Sequence, residues 1–190
     1  MWDDTIVLFL SDHGDMMGGH GMTRKGTMPY EELYNVPCIV KLPKDMERKR
    51  SVVDEVIVST DIPGALLELA GVDASPPFTD SGVVKALKRD KSTGEEYVFF
   101  EHYAAWWGIH PFYGIRTNTM KYVRYYGSDA TEEMYDLETD PDELHNVAFD
   151  PAYGEQKAKL SKLADDWWTS TGGQSADFYE TEAFKNNLNA

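Results

Sequence analysis

Hydrophobic and polar positions alternate in two distinct textures along this chain. In the first, short apolar runs are separated by helix-like stretches. Thr5-Ile6-Val7-Leu8-Phe9-Leu10 is β-branched and apolar, and it stops abruptly at Ser11-Asp12-His13-Gly14. Such a run predicts a buried strand of parallel type that delivers polar groups to the carboxyl edge of an α/β sheet. Asp12 and His13, being adjacent, would point to opposite sides of an extended chain. Pro29–Tyr34 suits a short helix with proline and acids in its first turn. Val36–Leu42 reads as a second buried strand bracketed by Pro37 and Pro43. Val52–Val58 is apolar but broken by Asp54 and Glu55. Asp61–Gly71 is the clearest helix: Thr60 or Asp61 caps it, Pro63 lies in its first turn, leucines form its buried face and Gly71 stops it. Ser75–Phe78 reads as a loop, Ser81–Lys88 as a short helix and Lys88–Glu96 as a charged turn.

The second texture is aromatic and alternating. Tyr97–Tyr103, Phe112–Thr117, Lys121–Tyr126 and Glu133–Leu137 predict short strands of an antiparallel sheet, with a tight hairpin at Thr117-Asn118-Thr119-Met120. Asp140-Pro141-Asp142-Glu143 is a turn. Pro151–Ser170 places Leu160, Leu163, Ala164, Trp167 and Trp168 on one side of an amphipathic helix. The expected organisation is α/β over residues 1–95, an antiparallel α+β subdomain over 96–172, and a loose tail over 173–190.

Composition changes this picture in three places. With 190 residues and 42% hydrophobic content, the chain can build a packed core. A formal charge of −15 disfavours nucleic acid or an anionic membrane as partner, and means that any anionic substrate needs a metal or local basic groups. The single cysteine, Cys38, excludes an internal disulfide and reads as a small buried residue. No apolar run is long enough to span a membrane, and Met1-Trp2-Asp3-Asp4 does not read as a signal peptide. The Lys44–Arg50 cluster also contains Asp45 and Glu47, and reads as a solvated loop.

Candidate chemistry concentrates in the first loop. Ser11-Asp12-His13-Gly14-Asp15-Met16-Met17-Gly18-Gly19-His20-Gly21, followed by Lys25-Gly26, Pro29-Tyr30-Glu31-Glu32 and Val36-Pro37, resembles the sulfatase family of the alkaline-phosphatase-like superfamily. The resemblance continues through Val58–Gly71, Gly114-Ile115-Arg116-Thr117, Lys121-Tyr122 and Glu133–Leu137, to Asp140-Pro141 and Asn146. It implies a partial alkaline-phosphatase-like sheet with flanking helices, then a small antiparallel sheet and a C-terminal helix. It also implies hydrolysis of a sulfate ester by a formylglycine nucleophile assisted by a divalent metal, Ca2+ first, with Mn2+ or Mg2+ as alternatives. By that match Asp12 and His13 are metal ligands and Lys25 contacts the sulfate, with Arg24 the runner-up. His20, between two glycines, could bind a sulfate oxygen or a sugar hydroxyl, or simply pack the loop. Asp15 reads as a turn residue. His102, Trp106, Trp107 and His110 suit packing or sugar stacking; Arg116 is left unassigned.

The departures are as informative as the matches. The C/S-x-P-x-R motif that yields formylglycine is absent: Cys38 is followed by Ile-Val-Lys, and Ser75-Pro76-Pro77-Phe78 ends in Thr79. The family's N-terminal acid pair is missing too. The chain therefore reads as the C-terminal portion of a sulfatase, inactive alone, with the formylglycine expected upstream. Its incomplete sheet is expected to expose apolar faces and to self-associate. A sulfated small molecule or glycan is the implied substrate of the complete protein, for which the resemblance suits a periplasmic or secreted location. Two other readings stand beside this one: a phosphodiesterase or phosphonate monoester hydrolase of the same superfamily, and a non-catalytic glycan- or protein-binding module.

Overall fold

The computed structural model describes residues 1–46, 52–53, 56–73, 83–84, 87, 97–102, 111–125 and 131–173. The loop at 75–78, the 88–96 turn, Trp106, Trp107, His110 and the tail beyond Gly173 lie outside the described residues, as do most of 81–88 and residues 47–50 of the basic loop. The chain divides into two compact units: 1–54 with 59–92, and 55–58 with 93–190.

In the first unit, β1 (Val7–Leu10) pairs with β2 (Cys38–Lys41), Leu8 opposite Val40 and Phe9 opposite Ile39. The pairing is antiparallel, not the parallel arrangement expected from the apolar runs. An apolar run alone cannot distinguish the two, because burial rather than strand direction sets its composition. Period-two alternation explains the burial. Leu8 and Val40 share one face and line an apolar crevice with Ile62, Ala65, Leu66 and Leu69. Phe9 and Ile39 share the other face and are 60% and 61% exposed. Cys38, expected to be buried, is exposed at the ribbon's end, opposite Leu10. A ribbon of two strands leaves its ends and one face uncovered.

Helix α1 (Glu31–Tyr34) precedes β2, and α2 (Ile62–Leu69) packs on the ribbon's covered face. The chain enters α2 through a 3-10 turn at Ser59–Asp61, and Asp61 makes no side-chain capping bond. Its exit matches the expected glycine stop. Gly71 sits at φ +69, and the N–H groups of Gly71 and Val72 donate to the carbonyls of Glu68 and Leu67. This paired closure needs a left-handed residue, which glycine adopts without steric cost.

The second unit is an antiparallel meander, β3 (Tyr97–His102), β4 (Phe112–Thr117), β5 (Met120–Tyr125) and β6 (Glu132–Asp136), in chain order. Thr117 Oγ1 closes the β4–β5 hairpin by accepting from the N–H groups of Thr119 and Met120. The long helix α3 (Gly154–Ser170) follows a 3-10 turn that Asp150 caps through the N–H of Ala152. Register places Tyr113, Ile115, Tyr122 and Met134 on one face of the sheet, and they form a core with Leu160, Ala164 and Trp168. Trp168 stacks on Tyr113 at 4.9 Å and Trp167 on Phe99 at 4.8 Å.

Register also places Arg124 and Glu132 opposite each other. Arg124 forks between Glu132 and both oxygens of Asp165 on α3, while Lys157 of α3 reaches Glu132 at 2.5 Å. Burial pushes the Glu132 carboxyl up, but hydrogen bonds from Lys157, Tyr122 and Arg124 outweigh it and bring it down to about 2. Burial and the bond to Asp165 push the Tyr113 phenol up to about 12. Away from this network, Lys121 and Glu143 form a buried ion pair at 2.5 Å, with Glu143 at φ +53 in the turn after β6. No helix among the described residues is long and apolar enough to cross a membrane.

Candidate functional site

The loop after β1 gathers the residues singled out by the sequence. The strand ends at Leu10 and the backbone bends at Asp12. That bend removes the opposed directions expected of two neighbours on an extended chain. Asp12 Oδ2 and His13 Nε2 lie 3.7 Å apart, with side chains 87% and 42% exposed.

Their remaining atoms are held locally. Asp12 Oδ1 accepts the His13 N–H at 3.0 Å, and Ser11 Oγ donates to the His13 carbonyl at 2.7 Å. His13 Nδ1 lies 2.7 Å from the Gly14 carbonyl, which can only accept. A neutral ring held this way carries its proton on Nδ1, which leaves Nε2 with a lone pair on the side of the carboxylate. A carboxylate oxygen and an imidazole lone pair converging at this spacing fit two ligands of one divalent cation. Two donors fall short of a complete coordination shell, and the described residues contain no group of three or more His, Cys, Asp or Glu able to hold a metal ion.

Gly14 seats this pair against α1. Its N–H donates to the Leu33 carbonyl at 2.9 Å, and a Cβ built at Gly14 would lie 1.8 Å from the Glu32 carbonyl oxygen. No other residue type allows that approach. Asp15, expected to be a turn residue, accepts the Met17 N–H at Oδ1 at 2.9 Å, as in an Asx turn.

From Met16 the chain runs out and back as a narrow loop. Met16 N–H donates to the Arg24 carbonyl at 3.2 Å, and Gly18 N–H to the Met22 carbonyl at 2.9 Å. Met16 is 1% exposed and anchors the base of the loop. Lys25 follows immediately on the return limb; it is exposed and has no hydrogen-bond or ion-pair partner among the described residues. Arg24, also exposed, takes φ +71.

His20 occupies the tip, within a 3-10 turn at Gly19–Gly21. Its ring is 14% exposed and stacks on Tyr30 at 3.8 Å and 11°. Nε2 faces Glu32 Oε1 at 3.9 Å. The ring thus does the loop packing that was one of its two expected roles. Glu32 was missed by sequence reasoning. It lies twelve positions beyond His20, and no local pattern marks the pairing. In the second unit, Arg116 donates to the Thr117 carbonyl, and His102 packs beside Phe112.

Comparisons with known proteins place the chain in a family. Residues 18–167 match the family model described as N-sulphoglucosamine sulphohydrolase, C-terminal. The chain is 28% identical, over 96% of its length, to an N-acetylglucosamine-6-O-sulfatase of Bacteroides thetaiotaomicron, of which it covers 33%. A solved structure of a 2-O GAG sulfatase superimposes with a TM-score of 0.79 at 29% identity, covering 95% of this chain and 39% of that one. A phosphonate monoester hydrolase of Agrobacterium radiobacter superimposes with a TM-score of 0.67 at 26% identity, covering 85% and 34%. The chain spans about a third of the length of the curated relatives it matches.

Proposed function

Because the chain belongs to the sulfatase family, whose C-terminal region it matches, we propose that it supplies part of the metal and substrate site of a sulfuric ester hydrolase. Asp12 and His13 are two ligands of a divalent cation, calcium first by the hardness of the carboxylate, with manganese or magnesium as alternatives. Lys25 contacts the sulfate. The observation that carries this reading is the convergence of Asp12 Oδ2 and His13 Nε2 at one exposed corner, on the loop whose return limb carries Lys25.

The chemistry suits an anionic ester. A cation at this pair would draw charge from the sulfate oxygens as the S–O bond breaks. Lys25 adds a fixed positive group for charge developing in the transition state, in a protein whose formal charge is −15. Asp12 and Gly14 orient the His13 ring through its backbone N–H and Nδ1. The C/S-x-P-x-R motif does not occur in this sequence, so a formylglycine nucleophile would come from outside it. The likeness to an N-acetylglucosamine-6-O-sulfatase and to a 2-O GAG sulfatase supports a sulfated glycan as substrate.

In a sulfatase that contains this chain, Lys25→Ala should lower kcat/KM for an aryl sulfate by about 10²-fold or more, the scale of losing one charge-stabilising group. An unchanged rate would remove Lys25 from the site. A second reading, phosphonate or phosphate ester hydrolysis, is favoured by the likeness to the phosphonate monoester hydrolase. Measuring the same protein on aryl sulfate and phenyl phosphonate side by side separates the two.

A further inference from the structure

The Met16–Arg24 loop is held in a conformation that its backbone alone would not choose. Met17, His20 and Arg24 all take positive φ (48, 51 and 71), and Gly18 and Gly21 join them at 105 and 71. Non-glycine residues persist there only when their surroundings over-determine them. The cross-loop bonds account for the limbs. At the tip, Gly19 N–H donates to the Met16 carbonyl and Met22 N–H to that of Gly19, the His20 ring stacks on Tyr30, and one residue of α1 lies over the turn. A Cβ at Gly19 would lie 2.3 Å from Glu32 Oε1, so the Glu32 side chain lies directly over the tip backbone. The same oxygen faces His20 Nε2 at 3.9 Å. His20 Nε2 is buried without a hydrogen-bond partner among the described residues, and Glu32 Oε1 is the charged group it faces.

We infer that Glu32 is a positioning residue: acting through His20, its carboxylate seats the loop tip and thereby fixes the return limb that carries Arg24 and Lys25. Because the Glu32 carbonyl also abuts Gly14, a single residue references both the Asp12–His13 pair and the Lys25 limb to α1. The functional consequence rests on the reading of Lys25 as the sulfate contact. The clasp itself does not, and its test uses neither metal nor sulfate.

The test is amide hydrogen exchange by NMR on the full chain, with trypsin cleavage after Arg24 and Lys25 as a second readout. Glu32→Met keeps the length over Gly19 but removes the carboxylate. It should speed exchange at Gly19 and Met22 by about tenfold, the scale of losing one polar contact, and raise cleavage in parallel. His20→Phe keeps a ring on Tyr30 but removes Nε2, and should have the same effect. The double variant should be no looser than either single one. Glu32→Gln, which keeps a polar oxygen over Gly19 and beside His20, should restore exchange to within about twofold of the parent. Gly14, bonded to the Leu33 carbonyl, reports whether α1 stays seated. If Glu32→Met unseats α1, His20→Phe at the loop tip carries the test alone. Unchanged exchange in His20→Phe, or single effects that simply add, would overturn the clasp. Lys25→Ala in the hydrolysis assay tests the other reading separately.

Discussion

The β3–β6 sheet with α3 and the β1–β2 ribbon with its loop treat polar groups in opposite ways. In the first, Arg124, Glu132, Asp165, Lys157 and two tyrosines interlock across sheet and helix, and Lys121 and Glu143 are paired out of water. In the second, Asp12, His13 and Lys25 stand exposed on a loop with three left-handed non-glycine residues. Dense satisfaction makes the first a rigid scaffold. The second keeps its charged groups available, and spends backbone conformation to place them.

The sharpest way to break this comparison is at the buried pair. Glu143→Gln leaves Lys121 charged and buried, and should destabilise the second unit by about 3 kcal/mol or more. Urea unfolding followed by tryptophan fluorescence measures it. A cost near that of an exposed pair such as Lys162–Asp166, about 0.5 kcal/mol or less, would contradict the contrast.

Acid probes the neighbouring network. Glu132 has a folded pKa lowered to about 2, against the ordinary glutamate value of 4.5. Its stabilisation is therefore complete above about pH 4.5 and fades as the pH falls through about 2, amounting to something on the order of 3 kcal/mol. Glu132→Gln should already lack that increment at neutral pH and lose less on acidification. Parallel pH curves for parent and variant would remove Glu132 as the cause.

The ribbon should respond differently. Phe9 and Ile39 lie side by side and exposed, so Phe9→Lys should change stability by no more than about 0.5 kcal/mol. The parent chain is expected to self-associate at micromolar concentration through this face, and Phe9→Lys to weaken that association. Light scattering showing a clean parent monomer would count against it.

These contrasts also explain what could be read in the sequence. The second unit was legible because aromatic alternation and hairpin chemistry are local: Phe112–Thr117 lies where the pattern puts it, and Thr117 closes the turn that follows. The Gly71 stop was legible for the same reason. Strand direction in β1–β2 was not, since Val7–Leu10 would look alike in either sheet. Nor was the Lys121–Glu143 pair, which needs the turn after β6 to fold back on β5. At the site, Asp12 and His13 announced themselves as neighbours at a strand end. Their convergence depends on a bend that adjacency does not reveal, and Glu32 meets His20 only once α1 packs beside the loop.

The claim that Asp12 and His13 form one cation-binding corner is tested most directly by adding Mn2+ to the chain and following paramagnetic broadening by NMR. The His13 ring and Gly14 amide should broaden before any other signals, at the weak affinity expected of two ligands, and Asp12→Ala should abolish this. Broadening centred on other residues, or unchanged in Asp12→Ala, would contradict it.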